Sequence, residues 1–190
     1  MTALLAVALL SASAAGPRLV EGKPDSAVRV IIFEDLQCPD CAEFRALLDE
    51  KLLPKYGDKV AFEHRDFPLS KHAWARKAAV AARFFDEADL QLGLKFRRET
   101  MRSIKQITPE TFNERLAAFA KAGGVDPEKA VAALGDERYA ALVEKDVQDG
   151  VARGVAHTPT AFVNGAPFVE TITFEEISKA IDSAIAEAKQ

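Results

Sequence analysis

The sequence predicts an α/β fold in which a helical block separates two parts of one sheet. Residues 27–67 show a strand, a helix and a second strand; residues 70–154 show only helical periodicity; residues 160–190 show a hairpin and an amphipathic helix. A strand–helix–strand unit joins parallel strands, and a hairpin adds antiparallel ones to the same sheet. The expected order is therefore βαβ, a helical insertion and ββα.

The N-terminal unit begins with "AVRVIIF" (27–33), a nearly continuous apolar run that is typical of a strand buried on both faces. A second strand is predicted at "KVAFEHRDF" (59–67). The helix between them is expected to stop around Pro54 and Gly57. Its apolar residues recur at helical spacing: Phe44, Leu47, Leu48 and Leu52.

The middle of the chain is predicted to be helical throughout. Thr108-Pro109 and Asp126-Pro127 are helix starts, because proline is favoured at the first helical position. The apolar stripes that face the core are Trp74, Ala78, Ala81 and Phe85; Phe112, Leu116 and Phe119; and Tyr139, Leu142, Val143 and Val147.

The C-terminal part carries two strong local signals. Asn164-Gly165 lies between apolar runs and predicts a two-residue hairpin turn. Thr173 and Glu176 form a capping box at the start of the last helix, and Ile172 and Ile177 are placed for a hydrophobic staple. We expect this helix to pack on the sheet.

Length and charge exclude several classes of protein. The 190 residues suffice for one domain with a real core, enlarged by an insertion. The 25 Lys and Arg residues are scattered among 29 Asp and Glu, for a net charge of −4. A basic surface patch is not indicated, so nucleic acid is not an expected partner.

The first residues resemble a secretory signal peptide. "MTALLAVALLSASAAG" has an apolar stretch at 3–10 and an Ala-Ser-Ala sequence at 12–14, although nothing before Arg18 is basic. The alternative is an apolar N-terminal helix, and the run is too short to span a bilayer. We expect export, which would place the chain where disulfides persist.

Cys38 and Cys41 are the only cysteines and stand three positions apart. Pro39 suits the first position of a helix, which puts Cys38 at the N-cap, where free N–H groups favour a thiolate. Cys41 follows one turn later, within disulfide reach. The spacing predicts a thiol–disulfide exchange centre; a structural disulfide and a metal site, with copper(I) as the ion, are the alternatives.

These motifs together resemble the DsbA-like branch of the thioredoxin-fold family, in its exported subgroup with an inserted helical domain. The resemblance lies in "EGKPDSAVRVIIFEDLQCPDC" (21–41), "FEHRDFPLSKHAWARKAA" (62–79), "GVAHTPTAFVNG" (154–165) and the last helix. It implies a thioredoxin-like α/β fold (βαβ…ββα). The expected divisions are a signal peptide (1–15), a thioredoxin-like domain (16–69 and 155–190) and a helical insert (70–154).

The resemblance also implies how the centre works. Cys38 would be the nucleophile, and Thr158-Pro159 would form the active-site loop opposite it, with a cis bond before the proline. Substrates would be unfolded or partly folded polypeptides, paired through backbone at Thr158. A membrane quinone-coupled oxidase of the DsbB or vitamin K epoxide reductase type would reoxidise the dithiol. The expectation is an exported, periplasmic monomer that needs no cofactor or metal.

Two residues depart from the family pattern and are, with Pro39, candidates for tuning the redox centre. Asp40 stands where related oxidases often have histidine or an aromatic residue, and its carboxylate should raise the pKa of Cys38. Alternatively it only complements the helix N-terminus. His157 replaces a small residue before Thr158, where it could stabilise a thiolate or simply face solvent.

Further polar residues surround the motif in sequence. Glu34 and Asp35 end the first strand, as proton relays for Cys41 or as solvated acids. Four others are expected to be surface and packing residues: His64, Arg65, Asp66 and His72.

Two alternatives to a dithiol oxidase remain. The same chemistry could run in reverse, in a periplasmic disulfide reductase or isomerase, although isomerases of this fold usually carry an N-terminal dimerisation module. A third reading is a copper(I) carrier that binds through Cys38, Cys41 and His157.

Overall fold

The computed structural model describes residues 19–189, and the expected signal peptide lies outside them. Five strands form one mixed sheet in the order β1-β3-β2-β4-β5. Their bounds are β1 Val20–Gly22, β2 Arg29–Glu34, β3 Ala61–Asp66, β4 Thr160–Val163 and β5 Ala166–Val169. Within this range, no helix has the length and apolar character needed to cross a membrane.

Eight α-helices surround the sheet in the described part of the chain. The first two are joined by a π-helical turn, Leu48–Leu52, because Pro54 has no N–H to continue the α-helical ladder. The bounds are α1 Pro39–Leu47, α2 Leu53–Tyr56, α3 Ala75–Ala88, α4 Leu90–Arg102, α5 Phe112–Ala122, α6 Pro127–Ala132, α7 Glu137–Ala152 and α8 Phe174–Glu187.

The topology has the thioredoxin-like order predicted from the sequence. Strands β2 and β3, which are connected through α1 and α2, pair in parallel. Strand β4 pairs antiparallel with β2, and β5 pairs with β4 as a hairpin. Helices α3 to α7 lie between β3 and β4 in the chain, as a helical insertion. The sequence analysis missed β1, a three-residue strand that pairs antiparallel with β3.

The hairpin between β4 and β5 forms as predicted. Asn164 and Gly165 both have positive φ, 45° and 88°, which fits a primed two-residue turn. The closing pair is Val163 with Ala166, so Phe162 and Pro167 form the next pair of the ladder. In that pair the backbone N of each residue faces away from the partner strand. Pro167 therefore directs its N, which has no hydrogen, to the open edge of the sheet.

One face of the sheet is apolar in its first half. Val30 and Ile32 of β2 and Phe62 of β3 are completely buried against α1 and α8. Ile177, predicted as part of the staple, and Ile181 of α8 join this core. Thr173 is the N-cap of α8, as predicted, because its hydroxyl accepts from the Glu176 N–H at 3.3 Å. The Glu176 carboxylate accepts from this hydroxyl at 2.7 Å, a contact that differs from the reciprocal bond of a capping box.

The same face becomes charged where the strands reach their carboxyl ends. Glu34, His64 and Asp66 follow the apolar residues at alternate positions and are no more than 5% exposed. Arg97 of α4 donates to Asp66 at 2.7 Å, and Arg83 of α3 donates to Asp66 at 2.5 Å. We call these five residues the ionic cluster. It joins the sheet to the helical insertion, and it shows that His64 and Asp66 are packing residues rather than surface residues.

Candidate active site

The Cys-x-x-Cys pair lies at the N-terminus of α1, beyond the carboxyl end of β2. Cys38 is the N-cap in extended backbone conformation, Pro39 occupies the first turn, and the Cys38 carbonyl accepts from the Ala42 N–H at 3.1 Å. This is the arrangement predicted from Pro39. The N-cap position leaves the first N–H groups of the helix free to face the sulfur.

The surroundings of Cys38 favour its thiolate. Both thiols are free, and the Cys41 thiol donates a hydrogen bond that is the main cause of a lowered pKa at Cys38. Burial opposes this shift, but the Cys41 N–H, the Thr158 hydroxyl and the Asp40 N–H add to it. Together they bring the pKa of Cys38 from 9.0 to about 6. Cys38 is therefore largely ionised at neutral pH.

Cys41 has the opposite tendency. Its side chain lies in an apolar cluster with Leu36 and Trp74, and burial raises its pKa well above 9.0. The Asp35 N–H donates to Cys41 Sγ at 3.3 Å and partly offsets that effect. The Cys41 thiol is thus kept protonated and screened from solvent.

Thr158 and Pro159 lie directly opposite the pair. When it is protonated, the Cys38 thiol donates to the Thr158 carbonyl at 3.3 Å, and the peptide bond to Pro159 is cis, as the resemblance implies. The Thr158 side chain is buried, and its hydroxyl lowers the pKa of both thiols. We call Cys38, Cys41 and Thr158 the sulfur centre.

The two residues that depart from the family pattern lie at the rim. Asp40 is exposed, and its backbone N–H is among the groups that lower the pKa of Cys38. The His157 side chain is 59% exposed, and its Nδ1 lies 3.1 Å from Glu170 Oε1. In the described structure no hydrogen bond joins His157 to either sulfur. Sequence reasoning placed both residues beside the motif but could not give the direction of either side chain.

Asp35 and Glu34 are buried rather than solvated. Glu34 belongs to the ionic cluster; its burial opposes ionisation, but His64 and Arg97 lower its pKa. The Asp35 carboxylate accepts from the Leu69 N–H at 2.8 Å and lies 2.7 Å from His72 Nδ1. The sequence analysis did not connect His72 with the motif, because no spacing rule relates residues 37 positions apart.

Metal binding receives no geometric support in the described structure. Residues 19–189 contain no group of three His, Cys, Asp or Glu side chains that could hold a metal ion. Cys38 and Cys41 therefore lack a third ligand there, and His157 pairs with Glu170 instead. The three-ligand copper(I) site of the alternative, with His157 beside the two sulfurs, is therefore not assembled in the described residues.

A groove of about 230 Å³ runs beside the N-terminus of α1. Its apolar lining comes from Phe44 and Leu47 of α1 together with Ile172 and Phe174. Asp40, at the rim, links this groove to the motif. The groove follows α1 from Asp40 to Lys51.

Comparison with known proteins begins with a family model described as Thioredoxin, which matches residues 14–183. A putative protein-disulfide oxidoreductase of Rickettsia bellii is 29% identical over 175 residues, covering 90% of this chain and 66% of the relative. The Na(+)/H(+) antiporter NhaA 3 of Salinispora tropica is 30% identical over 171 residues, covering 90% of this chain and 25% of the antiporter. The chain thus spans just under two thirds of one relative and a quarter of the other.

Solved structures show the same fold. BdbD from Bacillus subtilis, in its oxidised form, has a TM-score of 0.77 at 25% identity, covering 89% of this chain and 93% of that one. DsbA1 of Wolbachia pipientis has a TM-score of 0.79 at 18% identity, covering 90% and 92%. The chain therefore belongs to the thioredoxin family, and it has the fold of the DsbA-like members that carry a helical insertion.

Proposed function

We propose that this protein is a thiol–disulfide oxidoreductase that donates a Cys38–Cys41 disulfide to polypeptides with free thiols. The main observation behind the proposal is the difference in pKa between two thiols within one helical turn: about 6 for Cys38 and well above 9.0 for Cys41. At neutral pH, Cys38 is the thiolate that attacks or leaves. Cys41 is the thiol that resolves the mixed disulfide.

The direction of exchange follows from the stabilised thiolate. A pKa of about 6 lies between roughly 7 for thioredoxin and roughly 3.5 for DsbA. Whatever stabilises the thiolate stabilises the reduced protein, so the disulfide accepts electrons more readily than that of thioredoxin. This supports disulfide donation, as does the printed name of the Rickettsia relative, a putative protein-disulfide oxidoreductase.

Polypeptide substrates suit the surface around Cys38. The groove beside α1 offers apolar lining at Phe44 and Phe174, and the Thr158 backbone lies at the sulfur. An extended chain can therefore place apolar side chains in the groove and a cysteine against Cys38. Folded substrates would present fewer such segments.

Export and reoxidation complete the proposal. The apolar N-terminal sequence would direct the chain to an oxidising compartment, where a quinone-coupled membrane oxidase restores the disulfide. Export predicts that the protein recovered from outside the cytoplasm begins after Ala14 or Ala15. Intact-mass measurement of that fraction tests it; a full-length chain found only in the cytoplasm contradicts it.

The first test is the redox equilibrium of Cys38 and Cys41 in glutathione buffers, read by alkylation and mass. We expect a potential between about −270 mV, as in thioredoxin, and about −120 mV, as in DsbA. A value at or below that of thioredoxin would overturn disulfide donation and favour the reductase.

The second test is catalysed oxidation of a reduced, unfolded secretory enzyme that regains activity when its disulfides form. The oxidised wild-type protein should accelerate recovery in proportion to its concentration. Cys38→Ser and Cys41→Ser should both be inactive, because neither variant can form the intramolecular disulfide that is donated to the substrate. Equal recovery with wild type and Cys38→Ser would contradict the proposed function.

A further inference from the structure

The backbone of Asp35 contacts both cysteines. Its N–H donates to Cys41 Sγ at 3.3 Å, and its carbonyl accepts from the Cys38 N–H at 3.0 Å. Asp35 is 1% exposed and lies one residue beyond β2. The position of this single residue therefore sets one of the hydrogen bonds that the Cys41 sulfur receives.

Three donors hold the Asp35 carboxylate. Oδ1 accepts from the Gln37 N–H at 2.7 Å, and Oδ2 accepts from the Leu69 N–H at 2.8 Å and lies 2.7 Å from His72 Nδ1. The carboxylate is fully buried, with no side-chain exposure. Because a carboxylate only accepts, His72 carries a proton on Nδ1 in this contact. Of the three donors, only His72 supplies a side chain that substitution can remove.

His72 belongs to residues 67–74, the segment that leads from β3 into α3. This segment holds the motif loop at a second point, where the Trp74 N–H donates to Gln37 Oε1 at 2.7 Å. Trp74 itself is 2% exposed and packs in the cluster that contains Cys38 and Cys41. This segment therefore packs against the two cysteines. The His72 side chain, 16% exposed, extends from the segment to contact Asp35.

We propose that His72 is a positioning residue for the resolving step of the exchange. By holding the Asp35 carboxylate, it keeps the Asp35 N–H directed at Cys41 Sγ, where that N–H stabilises the Cys41 thiolate. This inference rests on the proposed function and adds a residue that the motif itself does not reveal.

The step can be written in full for glutathione disulfide as the probe. The Cys38 thiolate attacks one sulfur, forms a mixed disulfide with glutathione and releases glutathione thiolate. Cys41 then loses its proton to solvent and attacks Cys38 Sγ, so that the Cys38–Cys41 bond forms and a second glutathione thiolate leaves. One disulfide is reduced and one is formed, with no other oxidant.

The size of the expected effect follows from the chemistry of thiolates. Losing the directed N–H would raise the pKa of Cys41 by about one unit and reduce its thiolate about tenfold. Each remaining thiolate would be about threefold more nucleophilic, because the Brønsted coefficient is about 0.4 to 0.5. The net slowing of resolution is therefore about threefold.

The experiment mixes reduced protein with glutathione disulfide, quenches with acid and follows the mixed disulfide by mass. In His72→Ala, formation of the mixed disulfide should keep its wild-type rate, while its resolution slows about threefold. His72→Asn should restore resolution, since its amide N can take the place of Nδ1. Lys71→Ala, which removes the exposed neighbouring side chain, is the matched control and should behave as wild type.

Different failures have different meanings. Wild-type resolution in His72→Ala, or equal slowing of both steps with no rescue by His72→Asn, overturns the positioning role. Failure of the wild-type protein itself to form the Cys38–Cys41 disulfide would instead refute the proposed function. A thermal unfolding midpoint for each variant shows whether a lost rate reflects a lost fold.

Discussion

The sulfur centre and the ionic cluster lie at the same end of the sheet but hold negative charge in different ways. In the ionic cluster, Arg83 and Arg97 neutralise buried carboxylates directly. In the sulfur centre, the main groups that lower the pKa of Cys38 are N–H, S–H and O–H donors. When Cys38 enters a disulfide, its negative charge disappears. A buried cation would then be left unpaired, at a larger cost in free energy than a neutral donor that loses its acceptor. The ionic cluster is therefore suited to permanent charges, and the sulfur centre to a negative charge that is lost when Cys38 is protonated or enters a disulfide.

Removing Arg97 from the ionic cluster should cause the largest loss of stability. Arg97→Ala leaves Glu34, Asp66 and Asp86 without their shared cation, at a cost of about 3 to 5 kcal/mol in the free energy of unfolding. Urea titration measures that loss, and the pKa of Cys38 should stay at about 6. Arg76→Ala, which removes an exposed pair with Glu144, is the control and should cost less than about 1 kcal/mol. Equal losses in the two variants would show that burial of the cluster does not matter.

His64 should give the ionic cluster its own dependence on pH. Burial lowers its pKa, but Glu34 and Glu21, whose oxygens lie 3.2 Å and 2.9 Å from its ring nitrogens, outweigh burial and raise it above 6.5. Arg45 and Arg97 contact the same carboxylates. A raised pKa stabilises the folded protein fully below the unfolded value, and that stability is lost as pH rises through the folded value.

The measurement is the unfolding free energy of the oxidised protein, in which Cys38 does not titrate. Between pH 6.5 and the folded pKa of His64, the free energy of unfolding should fall by up to about 1.4 kcal/mol per pH unit. In His64→Gln this slope should disappear. A slope retained in that variant would assign the effect to another group.

Thr158→Val tests how much a neutral donor of the sulfur centre stabilises the Cys38 thiolate. Loss of the hydroxyl should raise the pKa of Cys38 by about half a unit to one unit, since one neutral hydrogen bond is worth about 0.5 to 1.5 kcal/mol. The pH dependence of alkylation in Cys41→Ser and in Cys41→Ser/Thr158→Val isolates Cys38. Thr158→Ser keeps the hydroxyl and should keep the pKa; a rise as large as that of valine would point to the lost methyl group instead.

Asp40→Asn should have the smallest effect. The side chain is exposed, so solvent screens its charge, and its N–H, which supports the thiolate, is retained. We expect the pKa of Cys38 to fall by less than about half a unit in the same alkylation assay. A fall of more than one unit would show that this carboxylate strongly raises the pKa of Cys38.

Local rules predicted much of this protein. Proline at the first helical position placed Cys38 at an N-cap, Asn164-Gly165 gave the hairpin, and Thr173 gave the N-cap of the last helix. Each of these rests on interactions within a few residues. The loop opposite the sulfurs came from resemblance rather than from any local rule.

Long-range polar pairing could not be predicted in the same way. His64 and Asp66 are charged residues in an alternating strand, and their burial depends on partners contributed by the insertion, such as Arg97, 31 positions from Asp66. The contact between Asp35 and His72 spans 37 positions. Hydrophobic periodicity reports which face of an element is buried, but it carries no information about which cation will meet a carboxylate there.

Pro167 limits the pairing of this chain with other copies at the edge of the sheet. Strand β5, which contains Pro167, is the outer strand of the sheet, and its last residue, Val169, is 46% exposed. An open edge of this kind can template pairing with another molecule, but Pro167 withholds a donor that an added strand would need. Pro167 therefore disfavours the addition of another strand, and hence aggregation, at the β5 edge. This is the edge near which unfolded polypeptides are proposed to bind.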